Sequence, residues 1–303
     1  MSVSILKSKE DDSVNFVFGG SYPGFFEARY VKRPKKKETD PEYFAVYLSS
    51  RSGCRQACRM CHLTATKQTK SVNADLNNYL EQAKTVLEWY GQNTPRAEIV
   101  HFNFMARGEA LANPLFLASG RELFEKLGAE SLTRNLFPRF LISTIMPKSF
   151  AGKSLSNIFP IINPEIYYSI YSTDEAFRKK WLPNAMPVSE ALKALKEYQE
   201  NTKKIIKLHW CFIEGENDSE KSIVDLCHMV RMSGVRVDIA IVRYNPYSEK
   251  YGKETSEALI KRNEEILKMY MPFSKIKTIT RVGFDVKASC GMFVEPQFNE
   301  TAP

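Results

Sequence analysis

Glycine and proline are scarce in this chain, 14 and 15 residues among 303, which excludes a collagen-like or low-complexity, disordered polypeptide. No apolar run approaches the roughly 18–20 residues that a bilayer span needs. The opening, Met1-Ser-Val-Ser-Ile-Leu-Lys-Ser-Lys-Glu-Asp-Asp12, lacks an apolar block and turns acidic at once. Neither a secretory leader nor a transit peptide is expected from it. The expectation is therefore a soluble, cytoplasmic protein with no membrane partner. There is no internal repeat and no linker rich in Gly, Ser or Pro. The six cysteines are too few for a disulfide scaffold in a chain of this length, and three of them fall within eight residues. That crowding points to metal or redox chemistry in a reducing compartment.

What the chain does have is core material: 43% hydrophobic residues and 12% aromatics. The length allows one large or two small domains. The formal net charge of +8 is a modest basic excess that suits a polyanionic partner such as RNA without requiring one.

Two strands around a turn are expected at Val14–Phe18 and Phe25–Val31, followed by a basic run, Lys32-Arg-Pro-Lys-Lys-Lys37. Such a run is either a solvated loop or a phosphate-contacting patch. From Tyr43 strands and helices alternate. Strand-length apolar runs occupy 43–49, 99–105, 140–143, 166–171, 205–213 and 235–242, with a last one at 275–280. Between them lie helical patterns. Leu76, Leu80, Ala83, Leu87 and Tyr90 recur at three-to-four spacing, with Gly91 as the expected stop. Further helices are expected from Pro114, Val188 and Ser256. Another opens at Asn217-Asp-Ser-Glu220, which has the form of a capping box with Asn217 as N-cap, and ends at Gly234. This alternation implies a parallel sheet with right-handed crossovers, an α/β fold forming a partial (β/α)6 barrel. The expected division is an N-terminal β-hairpin extension with its basic loop at 1–42, and a core barrel at 43–303 carrying the C-terminal segment. In parallel barrels the chemistry sits at the C-terminal strand ends.

Cys54-Arg-Gln-Ala-Cys58-Arg-Met-Cys61 follows the first strand of that barrel directly. Three thiolates at these spacings face one point from a wrapping loop and suit a [4Fe–4S] cube whose fourth iron stays open. A zinc site completed by His62 or a remote residue is the competing reading, although zinc sites more often use CxxC pairs and no second pair exists here.

CxxxCxxC after the first strand of a βα barrel resembles the signature of radical S-adenosylmethionine (SAM) enzymes. Further segments resemble the RlmN/Cfr family of adenine carbon-2 RNA methyltransferases, in order along the chain. They are Ser49-Ser-Arg-Ser-Gly-Cys54, Met105-Ala-Arg-Gly-Glu-Ala-Leu-Ala-Asn113, Ser143-Thr144 with Pro147, Ser169-Ile-Tyr171, Arg243-Tyr-Asn-Pro-Tyr247, Thr280-Arg281 and Ala288-Ser-Cys-Gly-Met292. The resemblance implies a radical SAM methyltransferase. Cys54, Cys58 and Cys61 would hold a [4Fe–4S] cluster, with SAM on its open iron. Gly108, Glu109, Ser143, Ser169, Ile170, Tyr171 and Asn245 would bind the cofactor, Glu109 gripping its ammonium. Cys290 would be the methyl-carrying nucleophile, and Glu27, within Phe26-Glu-Ala-Arg-Tyr-Val31, a proton acceptor; a solvated strand residue is the plain alternative for Glu27. The implied partners are rRNA or tRNA as substrate and a one-electron reductant such as a flavodoxin or ferredoxin, acting on a monomer.

The likeness breaks at one position of consequence. The family's second catalytic cysteine, seven residues before the first cluster cysteine, resolves the covalent protein–RNA adduct; here that position is Tyr47. A phenol cannot form the releasing disulfide. Cys211 could substitute if it points inward, although core packing is the plainer expectation, and Cys227 in mid-helix is a poorer candidate. Only about 26 residues precede Glu27, so the family's helical accessory domain is not expected. A radical SAM enzyme with another nucleic-acid or small-molecule substrate, and a non-catalytic RNA-binding relative, remain the alternatives.

Overall fold

The alternation of apolar strands and amphipathic helices builds one sheet of ten strands in sequential order. A computed structural model describes residues 2–20, 24–32, 38, 41–93 and 96–296. Of the basic run at 32–37, only Lys32 lies within the described residues, and it pairs with Glu42 at 2.6 Å.

Three strands, β1 (Val3–Lys7), β2 (Val14–Phe18) and β3 (Phe26–Lys32), form an antiparallel meander. The first of them is not expected from the sequence, because its apolar–polar alternation lasts only from Val3 to Ile5 and is broken by Leu6. Strand β4 (Tyr43–Leu48) pairs antiparallel with β3, so the N-terminal extension continues the barrel sheet instead of standing apart from it. From β4 onward every pairing is parallel, through β5 (Ile99–Phe104), β6 (Phe137–Thr144), β7 (Glu165–Ser169), β8 (Ile206–Trp210), β9 (Val237–Ile241) and β10 (Ile276–Thr278). The helices are α1 (His62–Ala65), α2 (Leu76–Asn93), α3 (Pro114–Leu132), α4 (Leu155–Ile158), α5 (Glu175–Trp181), α6 (Val188–Thr202), α7 (Glu220–Ser233) and α8 (Glu257–Tyr270). The expected partial (β/α)6 barrel is present, with β10 extending its far edge. Among the described residues no helix is long and apolar enough to cross a membrane.

The helices pack an aromatic-rich layer against the sheet. Phe124 of α3 stacks on Phe140 of β6 at 4.4 Å and on Phe159 at 5.2 Å, while Trp89 of α2 lies 4.9 Å from Tyr30 of β3. Helix α2 runs past its expected stop: Gly91 sits inside it, facing open space. An internal glycine costs only about 1 kcal/mol, which is not enough to end the helix.

Two helix ends match their chemistry. Asn113 caps α3 by accepting from Leu115 N at 3.0 Å, with Pro114 in the first turn. Gly234 closes α7 at φ +67°, a conformation glycine adopts freely. The start of α7 differs from expectation. Its N-cap is Ser219, which accepts from Ser222 N at 3.2 Å, whereas Asn217 is wholly buried. Asn217 Nδ2 donates to Tyr171 O (2.7 Å) and Cys211 O (2.9 Å), and its Oδ1 accepts from Ile213 N at 2.8 Å. This side chain therefore ties the ends of β7 and β8 together. Ser219→Ala should cost about 1 kcal/mol. Asn217→Ala should cost more, since each group left unpaired in the interior costs about 1–3 kcal/mol. Urea unfolding of the two variants checks the order.

Candidate active site

The C-terminal ends of the parallel strands open onto a cavity of about 140 Å³. Its lining includes Cys58 and Cys61, Gly108 and Glu109 after β5, Ser143 and Thr144 at the end of β6, Ser169 and Tyr171 at β7, Cys211 after β8, Asn245 after β9, and Cys290. Predicted site residues from five strand ends and the C-terminal segment thus meet at one place.

The cysteine loop is shaped by its backbone. Ala57 takes φ +55°, a left-handed conformation uncommon for a residue with a side chain. Cys54 N donates to Gln68 O at 3.0 Å and Cys61 N to Cys58 O at 3.1 Å. Burial pushes the Cys54 thiol up to about 11 and the Cys61 thiol to about 12, and Cys58, which also feels Cys54 and Cys61, well above its usual value. Metal ions supply the compensation such thiols need, since they bind the deprotonated form. Among the described residues no three His, Cys, Asp or Glu side chains lie close enough together to hold a single metal ion. His62, the proposed fourth zinc ligand, instead bonds Asn245 O through Nε2 at 3.2 Å and meets the Tyr247 ring edge-on at 5.2 Å. Three thiols that feel one another's charge are the donor set that a [4Fe–4S] cube with one open iron takes.

Glu109 is the most exacting group in the cavity. It is 6% exposed, and its Oε2 accepts from Ile145 N at 3.0 Å and its Oε1 from Leu111 N at 3.2 Å. Burial raises its carboxyl to about 7 against these hydrogen bonds, and no cation pairs with it among the described residues. Asn245 Oδ1, also buried, has no hydrogen-bond partner there. An uncompensated carboxylate and an orphaned amide oxygen facing one cavity call for a ligand bearing a cation and donors, which the amino-acid end of SAM provides. The residues present fit the cluster and cofactor. Gly108 lets the strand end approach the cysteine loop: at φ +92° a Cβ would lie 2.8 Å from Arg51 N.

Three predicted residues are not among those that line the cavity: Cys54, in the cysteine loop beside it, and Ile170 and Glu27. Ile170 is fully buried in the hydrophobic core, because the chain twists after β7 and only its neighbours Ser169 and Tyr171, the latter at φ +54°, turn toward the cavity. Glu27 is neither a solvated strand residue nor among the cavity-lining groups. It is wholly buried, and its Oε1 accepts from Arg107 Nη1 (2.7 Å) and Val294 N (3.2 Å), its Oε2 from Asn15 Nδ2 (2.9 Å) and Arg29 Nη2 (3.3 Å). Both oxygens of this carboxylate are thus engaged by donors within the fold. Tyr47 is buried behind the cavity wall with Val31, Ala45 and Ala106.

Of the residues that hold the Cys290 segment, sequence reasoning missed Arg29 and assigned Asn245 to the cofactor alone. Arg29 donates to Ser289 O (3.2 Å) and Met292 O (2.6 Å), with its guanidinium 4.7 Å from the Phe293 ring centre. Asn245 Nδ2 donates to Cys290 O at 2.9 Å, and His62 N donates to Gly291 O at 2.9 Å. Two arginines, Arg29 on β3 and Arg107 in the turn after β5, were the available signal, since such charges are almost never buried without a partner.

No family model matches the chain. RlmN of Wolinella succinogenes, a dual-specificity RNA methyltransferase, is 24% identical over 96% of this chain and 79% of its own length. RlmN of Aliarcobacter butzleri is 21% identical over 99% of this chain and 81% of its own length. The ribosomal RNA large subunit methyltransferase Cfr of Clostridium botulinum is 28% identical over 80% of this chain and 67% of its own length. The crystal structure of a radical SAM methyltransferase from Sphaerobacter thermophilus superposes with a TM-score of 0.79 at 17% identity, covering 96% of this chain and 80% of that one. The homologues of this chain are thus RNA methyltransferases, and its fold is that of a radical SAM methyltransferase.

Proposed function

We propose that this relative of the RlmN and Cfr enzymes is a radical SAM RNA methyltransferase that methylates adenine carbon 2 in rRNA or tRNA by way of a methylated Cys290. The observation that carries the reading is the seating of Cys290. Its carbonyl is held by Asn245, and its neighbour Gly291 by the cysteine loop, at the rim of a cavity that also presents Cys58, Cys61 and Glu109. A structural cluster would need neither a strapped cysteine nor a buried, uncompensated carboxylate.

Cys54, Cys58 and Cys61 would hold a [4Fe–4S] cluster, and Glu109, Asn245, Ser143, Ser169 and Tyr171 the cofactor. When bound, the pair supplies both a methyl group and, from a second cofactor molecule, a hydrogen-abstracting radical. Cys290 accepts the methyl on sulfur, and its methylene radical adds to carbon 2 of the base. A radical route is needed because that carbon is electrophilic and resists transfer of a methyl cation. Loss of the carbon-2 proton, with return of one electron to a flavodoxin- or ferredoxin-type carrier, leaves Cys290 joined to the base by a thioether. Orientation falls to the protein: Arg29 and Asn245 fix the Cys290 backbone, and Asn217 fixes the strand ends opposite.

Mass spectrometry of Cys290 after anaerobic incubation with SAM tests the reading. A methyl on Cys290, absent without cofactor, is expected. An unmodified Cys290 in protein with an intact cluster would remove the methylation chemistry while leaving the radical generator. In the same preparations Cys54→Ala, Cys58→Ala and Cys61→Ala should each lose the brown chromophore; wild-type iron content in all three would remove the cluster assignment.

A further inference from the structure

The proposed chemistry leaves the base joined to Cys290, and the residue at the family's resolving position, Tyr47, is a buried phenol. We propose that Cys211 is the resolving thiol of this protein, attacking Cys290 to release the methylated base as a Cys211–Cys290 disulfide forms; the inference rests on the function proposed above.

The geometry supports it in three ways. Cys211 follows β8 directly and lines the same cavity as Cys290, although it is only 3% exposed. The side chain packs with Tyr171, Val242 and Tyr244 in the apolar cluster that walls this cavity, so the core packing favoured by the sequence and a place at the cavity surface hold together. Its backbone is fixed at that point, since Asn217 binds Cys211 O and Tyr171 O together, which holds the thiol between two strand ends while a substrate occupies the cavity. The two thiols also feel each other electrostatically: Cys290 contributes, after burial, to raising the Cys211 thiol well above its usual value. Cys227, by contrast, is buried within α7 against the core and lines no part of the cavity.

The step balances without an outside acid or base. The Cys211 sulfur bonds to the Cys290 sulfur, and the bond from Cys290 sulfur to the methylene carbon breaks. Its electron pair passes to that carbon, where the purine ring delocalises it, and the carbon takes the proton that Cys211 gives up. The carbon is reduced to a methyl group and the two thiol-level sulfurs are oxidised to a disulfide. A dithiol reductant of the thioredoxin class supplies the two electrons that restore both thiols.

The test uses the cluster-loaded full chain with SAM, a flavodoxin-type reductant and an in vitro transcript of large-subunit ribosomal RNA as probe. After acid quench and alkylation without reductant, peptide mapping should show a Cys211–Cys290 disulfide that dithiothreitol removes. Cys211→Ser should keep the cluster absorbance and the methyl on Cys290, yet lose the disulfide and multiple turnover, and accumulate an RNA-linked Cys290 that dithiothreitol does not release. Wild-type turnover by Cys211→Ser, or a Cys290 disulfide to any other cysteine, overturns the inference. Failure of the proposed function shows separately, as a wild-type Cys290 that never carries a methyl. In that event, and equally if Cys211→Ser fails to fold, diamide oxidation of the wild-type holoprotein decides. A Cys211–Cys290 cross-link supports the pairing, and its absence overturns it.

Discussion

Glu27→Ala should be among the most damaging single substitutions in this protein, and the damage should appear as loss of structure before loss of chemistry. The change removes the carboxylate that pairs Arg107 at 2.7 Å and Arg29 at 3.3 Å, both wholly or almost wholly buried. Breaking a buried pair by deleting one partner costs about 3–5 kcal/mol, because the surviving charge is stranded; here two guanidiniums are stranded at once. Against a total stability of about 5–15 kcal/mol for a typical domain, that is a large fraction. Arg29 also carries Ser289 O and Met292 O, and Glu27 itself accepts from Val294 N. The C-terminal strap should therefore loosen first. Urea unfolding should show a much lower midpoint, and hydrogen exchange should show faster amides from Ser289 to Val294. Glu27→Gln, which keeps the shape but not the charge, should fall between. A proton acceptor at this position predicts the reverse pattern, near-normal unfolding with loss of turnover, and that result would displace the role assigned here.

Glu27 also shows where sequence and structure part company. The parallel barrel was legible because its signals are local: strand-length apolar runs, helical periodicity and short connections each occupy consecutive residues. The cysteine loop was legible for the same reason, three ligands lying within eight residues. What failed was anything decided by contacts distant in sequence. Glu27 reads as a proton acceptor or a solvated strand residue until Arg107, eighty residues on, is placed against it. Asn217 reads as a helix cap because it stands two residues from the true one, Ser219, and nothing local reveals that its amide is spent on Tyr171 and Cys211. Cys211 lies at a strand end, where the apolar core meets the cavity, and it belongs to both. Ile170 belongs to the core alone.

Glu109→Gln should separate the cost of the cavity from its use. Burial holds the Glu109 carboxyl at about 7 in the folded chain, against roughly 4.3 for a free glutamate. The folded state thus binds the proton more tightly than the unfolded one. The stability this group contributes is full below the unfolded value and is lost as pH rises through the folded value, so the cofactor-free protein should weaken between about pH 4 and pH 7 and level off above. The size follows from the shift, on the order of 3 kcal/mol when fully expressed. Glutamine has no proton to lose, so the cofactor-free variant should be more stable than wild type at pH 8 and nearly equal to it at pH 5. Binding should move the other way. A cofactor ammonium would meet the carboxylate in a site shielded from water, where a charge-assisted hydrogen bond is about twice as strong as a neutral one, so the variant should lose most of its affinity for SAM in a calorimetric titration of the cluster-loaded protein. Greater stability without cofactor together with weaker binding is the signature of a charge kept in the interior for a ligand. Lower stability at pH 8 with unchanged affinity would instead make Glu109 a structural cap of the turn at Leu111, and the cofactor's ammonium would need another partner.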